Sequence, residues 1–214
     1  NHNINLSIFK KENAATTVAS TISIASIFGI KFFATGGIGG VHLNTENTFD
    51  VSADLYSLSE HSNYVICSGA KSILDLNKTY ELLETLGITR IGFKTDYMPG
   101  FWYSETNYQV DNNFENISDI SNFLKINSKL NHKKSILIFN KVPEINAISK
   151  EQINKWINSA LIRAEKNMIS GKELTPFLIK EINNFSNNKT LKANVSLIIN
   201  NADLAGKIAK DFYS

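Results

Sequence analysis

The chain has 214 residues, 43% of them hydrophobic, and a net charge of +2 at pH 7. That length suits one domain with a substantial core, and the composition excludes disordered and collagen-like classes. The lysines are scattered, with Lys133-Lys134 too short for a basic patch, so nothing points to nucleic acid as a partner.

The N-terminal residues Asn1-His2-Asn3-Ile4-Asn5 form neither a signal peptide nor a start methionine, and they read as the beginning of a piece of a longer protein. From Asn13 to Phe28, Val18, Ile22, Ala25 and Ile27 recur at helical spacing, with Gly29 as a stop. Lys31 to Ala34 reads as a short buried strand, Ala53 to Glu60 as a short helix and Tyr64 to Cys67 as the next strand. Ser72 to Leu86 reads as an amphipathic helix, with Ile73, Leu76, Tyr80, Leu83 and Leu86 on one stripe and Gly87 closing it. Thr89 to Phe93 reads as a strand, Phe101-Trp102-Tyr103 as an edge strand, Ile117 to Leu130 as a helix and Ser135 to Phe139 as a strand. Ser149 starts a helix running to about Met168, Thr175-Pro176 opens another with Thr175 as N-cap, and Thr190 to Phe212 makes a long last helix. The asparagine clusters, such as Asp111-Asn112-Asn113, read as connecting segments.

The strand–helix–strand rhythm predicts an α/β fold with a mostly parallel central sheet. No run of ~18 apolar residues occurs, so no membrane-spanning helix is expected. Cys67 is the one cysteine, which precludes an intramolecular disulfide and fits a reducing, cytoplasmic setting. It lies in the apolar run Tyr64-Val65-Ile66-Cys67 and reads as a small core residue rather than a nucleophile.

Three segments carry chemistry, and each follows an apolar run that reads as a strand. They are Thr35-Gly36-Gly37-Ile38-Gly39-Gly40-Val41-His42, Phe49-Asp50-Val51-Ser52-Ala53-Asp54 and Cys67-Ser68-Gly69-Ala70-Lys71-Ser72. In an open α/β sheet ligands bind where the strands end. The glycines allow close approach of backbone N–H groups to an anion, although the pattern is neither a P-loop nor a dinucleotide fingerprint; a tight structural turn is the other reading. Thr35 and His42 bracket that turn. Asp50, Ser52 and Asp54 alternate, so in extended chain they face one side and can hold a hard divalent cation with water. Alternatively, Asp54 caps the following helix and Asp50 satisfies a turn.

Lys71 follows a buried strand and precedes the expected helix at Ser72. Apolar walls and a helix N-terminus both favour a neutral, nucleophilic amine, and such a lysine can form a Schiff base with an aldehyde-level carbon. Otherwise it is a surface lysine at a helix start. Asn194, Asn200 and Asn201 interrupt the apolar turns of the last helix, where asparagine is a poor helix former. They either bond a neighbouring backbone or face the site, where an amide reads the donor–acceptor edge of a ring such as uracil.

In this order the segments resemble the pseudouridine-5′-phosphate glycosidase family. The resemblance runs from about Ala14 to the C-terminus and also includes Ala15-Thr16-Thr17-Val18-Ala19, Gly69-Ala70-Lys71-Ser72-Ile73-Leu74-Asp75, Gly171-Lys172-Glu173-Leu174-Thr175-Pro176-Phe177-Leu178 and Leu191-Lys192-Ala193-Asn194. It is weakest from Phe101 to Glu144. It implies a three-layer α/β/α fold, a homotrimer, and reversible cleavage of the C–C glycosidic bond of pseudouridine 5′-phosphate to uracil and ribose 5-phosphate. By resemblance, Lys71 is the Schiff-base lysine and Asp50 holds Mn²⁺. Ser52, Ala53, Asp54 and Val18 match substrate-binding positions, with Thr35, His42 and Asn194 as further carry-overs, Asn194 toward uracil. The family's glutamate acid and phosphate-binding lysine lie N-terminal to the region matched, so the chain is expected to be one α/β glycosidase domain lacking that segment. Two alternatives remain: another lysine-dependent sugar-phosphate lyase or aldolase, and a non-catalytic sugar-phosphate-binding domain.

Overall fold

The structure is a computed structural model that describes residues 4–214, apart from the side chain of Lys172. Asn1–Asn3, part of the N-terminal reading above, lie outside the described residues. The helices are α1 (Ile4–Lys10), α2 (Val18–Ile27), α3 (Thr45–Thr48), α4 (Ala53–Glu60), α5 (Leu76–Thr85), α6 (Ile117–Lys129), α7 (Lys150–Lys166), α8 (Leu174–Phe185) and α9 (Lys189–Tyr213). The strands are β1 (Phe32–Ala34), β2 (Tyr64–Cys67), β3 (Thr89–Phe93), β4 (Asn112–Phe114) and β5 (Ile136–Phe139).

These strands form one sheet in the order β1-β2-β5-β3-β4, with every pairing parallel. The chain steps from β1 to β4 in one direction, leaving a gap between β2 and β3. It then returns through α6 to place β5 in that gap. Such a sheet needs cover on both faces, and the side-chain period of two supplies it. Val65, Cys67, Leu137 and Phe139 point into one apolar cluster with Ile22, Leu55, Leu58 and Leu83, all fully buried. Tyr64, Ile66, Ile136 and Ile138 point to the other face, against Ile120 and Leu124 of α6 and Leu204 and Ile208 of α9. The three-layer α/β/α arrangement expected from the sequence is therefore present. Truncating one of these buried leucines to alanine costs about 2–5 kcal/mol.

Helix α9 joins the two cores. Its Ala193 and Leu197 belong to the first cluster, and Leu204, Ala205 and Ile208 to the second. Asn201, fully buried between them, makes the crossing polar at one point only. Its Nδ2 donates to the Thr35 carbonyl (2.8 Å) and to Ser68 Oγ (3.1 Å), tying α9 to the ends of β1 and β2. Asn200 Nδ2 donates to the Lys141 carbonyl at 3.1 Å. Asn200, partly buried, and Asn201, buried, thus bond neighbouring groups in the fold.

Several boundaries differ from the sequence reading. Helix α2 starts at Val18 rather than Asn13. Helix α5 starts at Leu76 rather than Ser72, because Asp75 takes the N-cap and its side chain accepts from Lys78 N–H at 3.0 Å. Ser72 instead donates through Oγ to the Gly100 carbonyl at 2.5 Å. Thr175 is not an N-cap: a 3-10 turn at Gly171–Glu173 runs into α8, which begins at Leu174. Phe101-Trp102-Tyr103 is a buried series of bends, while the edge strand is Asn112–Phe114.

Candidate active site

The site is built where β1 and β2 end. Beyond Ala34 and Cys67 the two chains stay in step: Ile38 N–H donates to the Gly69 carbonyl (3.0 Å) and Lys71 N–H to the Ile38 carbonyl (3.1 Å). These two bonds fix the backbone of Lys71 against the glycine turn. Gly69 has φ +87°, a left-handed conformation open to glycine, and a Cβ there would collide with the Pro99 carbonyl. Phe101, at φ 68°, accepts the same left-handed strain without glycine. Its ring lies against Gly36 and Gly37, and its N–H donates to the Ser68 carbonyl at 2.9 Å.

The glycine turn then pairs antiparallel with the second segment. His42 N–H donates to the Asp50 carbonyl (3.0 Å) and Ser52 N–H to the Gly40 carbonyl (2.9 Å). The loop between them carries α3 and two left-handed residues, Asn44 and Phe49. Ser52 ends the pairing as the N-cap of α4, its Oγ accepting from Asp54 N–H at 3.2 Å.

Asp54 is therefore not the cap of its own helix. It is buried, with Oδ1 accepting from Ala19 N–H at 2.9 Å and Oδ2 from Gly39 N–H at 2.7 Å. One carboxylate thus caps the first turn of α2, where Thr17 makes no side-chain cap, and fixes the glycine turn. Such charge-assisted bonds are about twice as strong as neutral ones. A Cβ on Gly39 would lie 2.8 Å from Asp54 Oδ2, so the close approach needs glycine.

These contacts enclose a cavity of about 140 Å³ lined by Thr17, Val18, Gly39, His42, Ser52, Asp54, Lys71, Leu74 and Thr175. It brings together five of the residues singled out in the sequence: Val18, His42, Ser52, Asp54 and Lys71. His42, Ser52, Thr17 and Thr175 also line a much larger adjoining cleft of about 1330 Å³, whose wall includes Asp50. Thr35, Ala53 and Asn194 do not line the small cavity. Thr35 gives its carbonyl to Asn201, and Ala53 is the exposed first residue of α4. Asn194 lines a separate depression of about 490 Å³, which shares Thr175 with the cavity.

Lys71 is partly exposed in the cavity wall. Apolar walls are there, in Val18 and Leu74. The expected helix N-terminus is not, since α5 begins five residues on and is capped by Asp75. Burial pushes the Cys67 thiol up to about 12, against a weaker pull from the Gly69 backbone N–H, which leaves it a protonated core residue.

Asp50 offers the cleft a half-exposed carboxylate, its Oδ2 3.8 Å from His42 Nδ1. Among the described residues no group of three or more His, Cys, Asp or Glu side chains converges as a metal cage. Asp54 has both oxygens engaged by backbone N–H groups, so the alternating Asp50-Ser52-Asp54 triplet does not present two free carboxylates. The residues fit a hard divalent ion held by one carboxylate with water completing its shell, the manner in which Mg²⁺ and its like are often bound.

Sequence reasoning missed Thr17, Leu74 and Thr175 as cavity residues. Thr175 had carried a signal, but that of a helix cap. Trp102 was also missed; its Nε1–H donates to Asn194 Oδ1 at 2.7 Å.

Comparison with known proteins places this geometry. The family model for indigoidine synthase A like protein matches residues 1–211. A pseudouridine-5′-phosphate glycosidase from Brachyspira hyodysenteriae is 45% identical over 202 residues, covering 94% of this chain and 66% of its own length. The protein of that name from Escherichia coli is 42% identical over 201 residues, covering 94% and 64%. The chain thus spans just under two thirds of the length of these curated relatives. Among solved structures, the prealnumycin C-glycosynthase AlnA in complex with ribulose 5-phosphate superposes with a TM-score of 0.92 at 31% identity, covering 99% of this chain and 70% of that one. An indigoidine synthase A-like protein from Thermotoga maritima gives a TM-score of 0.88 at 36% identity, covering 97% and 68%. Among the described residues no helix is long and apolar enough to cross a membrane. With nearly its full length matched, and with glycine turn, carboxylates and lysine gathered at one sheet edge, this chain belongs to the indigoidine synthase A-like family.

Proposed function

We propose that this chain acts as a pseudouridine-5′-phosphate glycosidase, with Lys71 as the nucleophile. The observation that carries the reading is the position of Lys71. Its backbone is bonded to the glycine turn, and its side chain shares a small cavity with Val18, His42, Ser52 and Asp54. The names of relatives 42–45% identical support the substrate, and the sugar-phosphate complex of the C-glycosynthase supports the ligand class.

A C–C glycosidic bond has no leaving oxygen to protonate, so a route through two carboxylates fits poorly. A lysine amine supplies the missing push, because its lone pair can form a C=N bond as the C–C bond breaks. Lys71 Nζ forms a bond to C1′ of the ribose as C1′–O4′ breaks and O4′ takes a proton. The C1′–C5 bond then breaks, leaving its electron pair on the uracil ring, where C5 takes a proton, and an imine on Lys71. Water hydrolyses that imine to ribose 5-phosphate and free lysine. Every step is reversible, so synthesis from uracil and ribose 5-phosphate uses the same groups. The backbone-fixed glycine turn holds the lysine and the sugar in register, and Val18 and Leu74 keep part of the cavity wall dry.

Asp50 would hold Mn²⁺ at the cleft, with His42 beside it; when bound, the ion supplies positive charge and ordered water. A homotrimer, and a cytoplasmic setting suited to a chain with one buried thiol, belong to the same reading.

Borohydride reduction in the presence of ribose 5-phosphate, followed by peptide mass mapping, tests it. The expected result is a ribitol-phosphate adduct on Lys71. Lys71→Ala should lose the adduct and at least about a thousandfold in glycosidase turnover, with an unchanged melting curve. An adduct on another lysine, or a folded Lys71→Ala protein of normal activity, overturns the Schiff-base role. Cleavage of simple aldol substrates in place of pseudouridine 5′-phosphate would give the aldolase reading instead.

A further inference from the structure

The donor at Trp102 settles which way the Asn194 amide faces. An indole N–H can only donate, so the group 2.7 Å from Trp102 Nε1 is the amide oxygen of Asn194. The Nδ2 group then turns away from Trp102, and none of the described residues accepts from it. Trp102 is buried and therefore holds a fixed place.

Asn194 belongs to one stripe of α9 with Leu197 and Asn201, spaced i, i+3 and i+7. Asn201 donates to the Thr35 carbonyl, and Leu197 lies 2.9 Å from where a Cβ of Gly36 would stand. The stripe thus follows the glycine turn outward from the end of β1. Asn194 is its outermost member, in a depression that shares Thr175 with the Lys71 cavity.

We infer that Trp102 is a positioning residue: it locks the Asn194 amide with its N–H donors turned outward, so that the site selects a base carrying a carbonyl at that point. This rests on the glycosidase reading, in which Asn194 faces the base. An unlocked amide presents donor or acceptor equally well by flipping. A locked one sets its donor against the amino group of a base that offers one, which is how a hydrogen-bonding site rejects an analogue.

The test is equilibrium binding of uracil, cytosine and isocytosine in the presence of ribose 5-phosphate, the two analogues each replacing one uracil carbonyl by an amino group. The wild-type protein should bind uracil at least about tenfold tighter than the analogue lacking the carbonyl read by Asn194. In Asn194→Asp, Trp102 still donates to one oxygen and the other becomes an acceptor, so the preference between uracil and that analogue should reverse. In Trp102→Phe the amide is free to flip, and the selectivity should fall roughly tenfold while imine trapping on Lys71 stays unchanged. Should Trp102→Phe fail to fold, Asn194→Asp decides. An Asn194→Asp protein that keeps the wild-type preference, or a wild-type protein that does not discriminate or does not bind uracil, overturns the inference. Loss of imine trapping in the wild-type protein would instead overturn the glycosidase reading, whatever the base selectivity.

Discussion

Asp54 and Gly39 are joined by a bond of 2.7 Å from the glycine N–H to Oδ2, in the wall of the Lys71 cavity. The other oxygen of the same carboxylate accepts from Ala19 N–H, so one side chain fixes both the glycine turn and the start of α2. A carboxylate is an acceptor at both ends, whereas an amide is an acceptor at one and a donor at the other. Asp54→Asn must therefore set its NH₂ against one of two buried N–H groups in either flip. We expect a loss of about 2 kcal/mol or more of stability, read as a fall in Tm of roughly 5 °C. The rate of imine trapping on Lys71 should fall as well, because Gly39 loosens. A melting curve matching that of the wild-type protein would show that the two bonds do not hold the turn.

That relationship also marks the limit of what the sequence makes legible. Strands β2 and β3 agree residue for residue with the expected strands Tyr64–Cys67 and Thr89–Phe93, and β2 carries the continuous hydrophobic signature of a buried parallel strand. Strand β4 leaves none. Asn112-Asn113-Phe114 becomes a strand by pairing with Ile91–Phe93 at the sheet edge, and tertiary context of that kind overrides propensity. In the site, the glycine turn, Asp50 and Lys71 stand out as short motifs. The partners of Asp54 do not, because Ala19 and Gly39 lie 35 and 15 residues away and donate through backbone that any residue type would offer. Trp102 is hidden for the same reason, 92 residues from Asn194. The helix start expected at Ser72 failed locally, because Asp75 is an equally good cap four residues from Lys71.

Burial also sets a dependence on alkaline pH. It pushes the Cys67 thiol from 9.0 up to about 12, and the Tyr103 phenol from 10.0 up to about 12, with a smaller push from Tyr108. Between pH 9 and 12 the unfolded chain has released protons that the folded protein still holds. The unfolded state then binds fewer protons, so the free energy of unfolding falls as pH rises. This contribution is fully present below about pH 9 and is lost progressively toward pH 12. Thermal melts taken at rising pH should show Tm falling through this window, and Cys67→Ala should show a shallower fall. A Tm that holds steady to pH 11 would mean that neither group is shielded as its burial implies.

The remaining prediction concerns Asp50, the acidic side chain that the cleft wall offers beside His42. It is 44% exposed, and its Oδ2 lies 3.8 Å from His42 Nδ1. A single hard oxygen with water around it binds a divalent ion weakly and depends on its full negative charge. Asp50→Asn keeps size and one oxygen but removes the charge, so Mn²⁺ affinity should fall at least about tenfold. His42→Gln, which leaves the carboxylate in place, should change that affinity much less. The loss of the free Mn²⁺ paramagnetic signal on titration with protein reads binding directly, with no need for turnover. Equal affinity in the wild-type and Asp50→Asn proteins would remove Asp50 from the metal site, and a larger loss in His42→Gln than in Asp50→Asn would give the ion to the imidazole instead.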